Sequence, residues 1–391
     1  MNLFTFISFK LLKYTVHLFN RSMFYRLLFG ANIFRKPIFV HVLNEHILKR
    51  LNLSRLAVCI LVSFFGLPLA QAQDIHFSQF YNSPLTTNPA LTGIFRGDVR
   101  IYGLLRSQWD AANSPYRTIH LAADGKLFNP RMKKGFFSVG GQLYRDEAGD
   151  SNLRLTTFGI SGAYTLALDA ENYLTFGTLV SIGQRKFDFG NLTWDNQFAG
   201  DAHNSNLSSN ESFDNDSRMF ADFSVGVNWH GQKKDKRSSM DVGVGVFHLT
   251  SPKQNFDNGD EARLPVRISL YMMPTIQIST NGDIVLSANA QLQDQYTELL
   301  GGGFYRYYVN TKKTKEVALE FGGALCFNAI SDAFVIHTGL NYRYLNVAFT
   351  YDINISDFKE ATNRFGGPEL SARYTFHKVR PLQYRKVCPL L

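Results

Sequence analysis

Apolar and polar residues alternate with period two in segment after segment of this chain, and few folds accept that pattern. Leu370, Ala372, Tyr374 and Phe376 alternate with Glu369, Ser371, Arg373 and Thr375. Ile284, Leu286, Ala288, Ala290 and Leu292 alternate with Ser287, Asn289, Gln291 and Gln293. One apolar and one polar face is the signature of a β-strand. About fourteen such segments of roughly ten residues follow one another. They begin near Val99, Tyr116, Lys134, Asn152, Asn172, Met219, Met240, Arg263, Asp283, Tyr296, Lys315, Ala333, Asn346 and Glu369.

A soluble sandwich would show the same alternation with its apolar face inward. Two features favour an outer-membrane barrel. The polar face is rich in Gly, Ser, Asn and Gln, which suits a lumen, and a secretory leader precedes the strands. The 34 Phe and 18 Tyr exceed what a soluble core requires and suit interfacial girdles. Connector lengths agree. In an even-stranded barrel, external loops are long and periplasmic turns short. The stretches 187–217, 251–262 and 357–368 fall on the external side, whereas 169–171, 281–282 and 311–314 fall on the other. The predicted fold is all-β: a transmembrane antiparallel barrel of about 14 strands with an extended N-terminal segment.

Charge is concentrated ahead of the strands. Nine of the 41 basic residues and one of the 32 acidic residues lie in the first 72 positions, leaving 32 and 31 for the remainder. The folded portion is therefore almost neutral, and a nucleic-acid partner loses its electrostatic basis. Lys49, Arg50 and Arg55 precede an apolar run from Leu56 to Leu69, and Ala70-Gln71-Ala72 fits small-x-small cleavage. The run is too short for a spanning helix of about 20 residues. A cleaved signal peptide is expected, with the cut between Ala72 and Gln73. Residues 1–50 read either as an unusually long leader or, the favoured reading, as sequence ahead of the true start. The predicted organisation is leader 1–72, N-terminal periplasmic segment 73–98, barrel 99–377 and basic tail 378–391.

No enzyme motif emerges. The histidines form no H-E-x-x-H, and no nucleophile elbow or phosphate loop is present. Cys59, Cys326 and Cys388 make neither a disulfide framework nor a zinc pair. The acidic runs at Asp146, Glu147 and Asp150, and at Glu211, Asp214 and Asp216, lack calcium-loop spacing. No cofactor, metal or catalytic residue is assigned. Lysines gather on the short-turn side: Lys233, Lys234, Lys312 and Lys313 among them. They read either as solvated turns or as a basic periplasmic rim for an acidic partner.

The stretch from Gln73 to Trp109 is different in kind, being Pro- and Asn-rich and non-repetitive. Pro84 and Pro89 fix φ and remove donors, while Asn88 and Gly93 suit turns. Gln73-Asp74, Phe77-Ser78-Gln79, Asn88-Pro89-Ala90, Gly93, Arg106 and Gln108-Trp109 resemble the start of mature PorP/SprF proteins. Those are outer-membrane components of the Bacteroidetes type IX secretion and gliding machinery. The resemblance continues through Leu192, Trp194-Asp195 and Gln197, Phe220-Ala221-Asp222 and Gly226. It resumes at Tyr351-Asp352-Ile353-Asn354-Ile355-Ser356 and ends at Glu369-Leu370-Ser371 with Tyr374.

The resemblance implies a non-enzymatic outer-membrane protein that aids export or surface anchoring of large, adhesin-like cargo. It also implies contact with periplasmic secretion or peptidoglycan-linked proteins. Phe77, Gln79, Asn88, Pro89 and Trp109, with Lys233, Lys234, Lys312 and Lys313, are the expected partner-facing residues. Trp194, Asp195 and Gln197 are the expected cargo-facing ones. The alternative is an outer-membrane porin or apolar-ligand channel.

Overall fold

A computed structural model describes residues 74–108, 116–127, 134–149, 151–188, 192–199, 202–204, 206–208, 210, 216–256, 262–312, 315–328, 332–356 and 365–377. All of them belong to the unit Gln71–Leu391. The expected leader with Ala72, the first expected mature residue Gln73, and the basic tail lie outside the described residues, as do Trp109 and Lys313.

The strands run β1 (Val99–Gln108), β2 (Tyr116–Leu127), β3 (Gly135–Ala148), β4 (Leu153–Ala167) and β5 (Asn172–Lys186). A small hairpin, β6 (Phe198–Ala199) and β7 (Ala202–His203), follows in the long connection. Then come β8 (Ser217–Gln232), β9 (Ser239–Phe247), β10 (Arg267–Gln277), β11 (Gly282–Gln293) and β12 (Tyr296–Asn310). The last are β13 (Val317–Asn328), β14 (Ala333–Tyr342), β15 (Leu345–Asn354) and β16 (Phe365–Phe376).

Each barrel strand pairs antiparallel with its sequence neighbour, β5 pairs with β8, and β1 closes on β16 from Val99↔Phe376 to Arg106↔Glu369. The closed barrel thus holds the fourteen expected strands. Every strand begins within four residues of its expected start, the largest offsets being at β10 and β16. Closure satisfies the backbone without leaving an edge, which a bilayer demands.

The faces of the barrel are inverted relative to a soluble protein. Leu370 is 45% exposed while its neighbour Glu369 is fully buried. Ile160, Phe176, Val180, Phe321 and Phe349 likewise point outward. Such a continuous apolar exterior is stable only against lipid. Tyr307, Tyr342, Tyr374 and Phe376 are exposed at one rim, where strand ends meet the interface. That rim carries the short turns and both ends of the barrel chain, so it faces the periplasm. The three longest connections, 187–216, 248–266 and 355–364, all leave the opposite rim.

A lumen occupied by its own N-terminal segment

Residues 74–98 do not hang below the barrel. They run through its lumen from the loop end to the turn end, where Asp98 N donates to Phe376 O at 2.9 Å. Phe77, Gln79, Asn88 and Pro89 are buried by the barrel itself rather than presented to a partner. The expected periplasmic segment is instead a plug, because the inward strand faces supply the polar groups that its irregular backbone requires.

At the loop end, Asp74 sits 3.0 Å from His248 Nε2 and 3.1 Å from Arg267 Nε. Its amide donates to Gln293 Oε1 at 3.1 Å. Burial opposes ionisation of Asp74, but Arg267 and then His248 hold its carboxyl well below the usual range. Burial also opposes the His248 charge, yet Asp74 and a hydrogen bond to Asp222 push its pKa up to about 9. His76, by contrast, is pushed down to about 3 by burial and by Arg106.

One turn deeper, Glu369 accepts the adjacent amides of Ser78 (2.9 Å) and Gln79 (2.8 Å). Ser78 Oγ donates to Asp352, and Asn82 Nδ2 donates to Ser371 Oγ at 2.9 Å. Arg106 lies 2.9 Å from Asp352 and 3.7 Å from Glu369, and it also donates to the His76 carbonyl. Two buried carboxylates and one guanidinium thus clamp the plug between β1, β15 and β16.

At mid-lumen the Asn88-Pro89-Ala90 motif makes its own local structure. Asn88 Oδ1 accepts from Ala90 N at 2.8 Å and caps the 3-10 turn Pro89–Leu91, with Pro89 at the position that needs no donor. The Asn88 amide then donates to Val227 O at 2.9 Å and to Tyr271 Oη at 3.0 Å.

The wall opposite is bare. Gly177, Gly226 and Gly245 stand side by side on β5, β8 and β9, flanked in the same register by Ala163 and Ser269. A Cβ on Gly226 would collide with Asn88 Oδ1, one on Gly177 would collide with Ala90 N, and one on Gly245 would sit 2.8 Å from Thr87 O. Glycine is present here because another backbone lies against the wall.

Toward the turn end, Gly93 N donates to Asp124 Oδ2 at 2.7 Å, and Arg100 grips the same carboxylate at 2.8 and 2.7 Å. Gly93 has φ of +77°, a conformation that also explains its place in the motif.

A model of the family described as type IX secretion system membrane protein PorP/SprF matches residues 69–374. The chain belongs to the PorP/SprF family. Its PorP/SprF barrel is similar to solved structures at low identity. The Ralstonia pickettii toluene transporter TbuX shares 9% identity, covering 76% of this chain and 94% of that one, at a TM-score of 0.45. The monoaromatic hydrocarbon channel CymD shares 10%, with 76% and 93% covered and a TM-score of 0.45. A Pseudomonas aeruginosa FadL homologue shares 12%, with 76% and 94% covered and a TM-score of 0.42. No curated protein matches the sequence. Family membership, barrel closure and the apolar exterior place this PorP/SprF protein in the outer membrane.

The remaining expected site residues separate by end. Lys233, Lys234 and Lys312 are exposed on turns of the periplasmic rim. Trp194, Asp195 and Gln197 lie in the long external connection, where Gln197 Oε1 accepts from Trp194 N at 3.1 Å across a 3-10 turn. Sequence reasoning gave no role to Arg106, Asp222, Asp352, Glu369 or the wall glycines. Their signal was present as charges and glycines in the inward register, but most of the plug groups they face lie about 90 to 290 positions away. Among the described residues, no group of three or more His, Cys, Asp and Glu is arranged to hold a metal ion.

Proposed function

We propose that this protein is a non-enzymatic accessory of type IX secretion that helps export or anchor particular large, adhesin-like cargo at the cell surface. In this reading the external loops hold cargo, and the periplasmic rim with Lys233, Lys234 and Lys312 docks onto secretion or peptidoglycan-linked partners. The observation that carries it beyond family membership is the lumen. A barrel threaded by a hydrogen-bonded, ion-paired segment of its own chain is built as a scaffold, and the plug counts against the porin or apolar-ligand channel. The test is quantitative proteomics of surface and secreted fractions from a deletion strain and its complemented parent. Selective loss of one or a few large secreted proteins, restored on complementation, is the expected result. Unchanged cargo together with ion conductance by the purified barrel would return the reading to a porin.

A further inference from the structure

The plug does not fill the turn end. Below Pro84 and Leu91 it leaves a cavity of about 620 Å³, with Arg96, Arg100, Lys126, Arg237, Arg306 and Arg373 on its wall. Five of these cations already have partners. Arg100 pairs with Asp124, Arg237 with Asp283 and Arg306 with Glu320, all at 2.7–2.8 Å. Lys126 and Arg96 donate to the carbonyls of Phe95 and Lys236.

Arg373 differs. It makes no hydrogen bond or ion pair among the described residues; the charges acting on it are Arg100, then Glu320, which is already paired with Arg306, and Arg306 itself. Its cross-strand neighbour on β15 is the buried, uncharged Asn346. A guanidinium with no hydrogen-bond partner fits a ligand that brings an acid. The volume also suits an organic ligand, since cavities of about 300–1,000 Å³ take ligands of that size.

The source can be narrowed. The barrel is closed, so lipid has no lateral route to the cavity. The chain's own tail, 378–391, carries Lys378, Arg380, Arg385 and Lys386 and no acidic side chain, so its charge is wrong. We propose that this vestibule receives an acidic peptide segment of a periplasmic protein, with a carboxylate on Arg373. The inference rests on the reading of the turn end as the partner-facing end, and it deepens that reading by giving the partner's chemistry.

The experiment uses the mature barrel in nanodiscs and fluorescein-labelled octaglutamate, with octaglutamine as the neutral probe, read by anisotropy. Octaglutamate is expected to bind, and octaglutamine about tenfold or more weakly, the scale of one charge-assisted hydrogen bond. Arg373→Gln should weaken octaglutamate by a similar factor, while Arg145→Gln, an exposed cation toward the opposite rim, should change it by less than about threefold, the scale of a screened surface charge. Should Arg373→Gln fail the heat-modifiability check for a folded barrel, Asn346→Asp replaces it, because an internal counter-ion on Arg373 should lower affinity equally. Binding that survives these cavity changes, no binding at all, or displacement by inorganic phosphate as effective as by unlabelled octaglutamate would overturn the proposal. Failed peptide binding alongside selective cargo loss in the deletion strain would remove this inference and leave the cargo role standing.

Discussion

Gly226 offers the most direct test of whether the plug is held by the wall. In Gly226→Ala the new methyl group would collide with Asn88 Oδ1 and lie 2.8 Å from Asn88 Cγ. Neither side can give way cheaply. The wall is a hydrogen-bonded strand between β5 and β9, and the Asn88 side chain is fixed by Val227 O, Tyr271 Oη and Ala90 N. Overpacking of a tight site costs about 1–3 kcal/mol. Each buried hydrogen bond that Asn88 abandons costs about 1 kcal/mol more. A loss of about 3 kcal/mol falls on plug docking rather than on the barrel, and it raises the undocked population about a hundredfold.

The assay is planar-bilayer conductance, with protease protection of residues 74–98 alongside. Wild type should be silent and protected, while Gly226→Ala should show openings and plug cleavage with a folded barrel. Gly162→Ala is the control: nothing lies within 4 Å of its Cβ, so its effect should stay within about 0.5 kcal/mol. Asn88→Ala removes the clashing amide, so adding Gly226→Ala to it should cost far less than Gly226→Ala costs alone. If Gly226→Ala were as silent and as protected as Gly162→Ala, the account of the glycine wall would be refuted.

Three further outcomes follow from the same geometry. Arg106→Ala strands Asp352 and Glu369 without their buried counter-ion and should destabilise the protein by about 3–5 kcal/mol in urea unfolding, with Arg106→Lys only a partial rescue. The Asp74–His248 latch should loosen in base. His248 has a folded pKa of about 9, above its ordinary value, so its contribution is complete below about pH 6.5 and is lost as pH rises through about 9. Asp74 is shifted the other way, so its contribution is lost only in strong acid. A spin label at Ile75→Cys should therefore gain mobility between about pH 7 and 10, and His248→Gln should flatten that profile. Ile160→Arg, on the outward face of β4, should cost about 2–4 kcal/mol in lipid-vesicle folding; a neutral result would contradict the bilayer-facing exterior.

The barrel was legible because its information is local. Leu370 and Glu369 differ by one position, and that single step separates lipid from lumen in every strand. Strand starts missed by up to four residues at β10 and β16, where long external connections make the first paired residue hard to see. Alternation alone could not say which face was inside. The secretory leader and the connector lengths supplied that, since a sandwich would have buried Leu370 instead.

The site was visible only as unconnected fragments. Phe77-Ser78-Gln79 and Glu369-Leu370-Ser371 are separated by about 290 positions, yet Gln79 N donates to Glu369 and Ser371 Oγ donates to Gln79 Oε1. No periodicity or spacing rule reaches across such a distance, so a polar, Pro-rich stretch reads by default as an exposed arm. The geometry explains why these fragments belong to one site. Asp352, Glu369 and Arg106 form the socket, Ser78 and Gln79 the insert, and Gly226 the flat wall that admits Asn88. Each element is costly alone: buried carboxylates without amides, a bare glycine wall, an irregular segment without a sheet. Their joint presence in one chain is accounted for by a lumen that is built to be closed. That leaves the two rims, the long loops outside and the arginine-lined vestibule within, as the surfaces on which the proposed cargo and periplasmic partners would act.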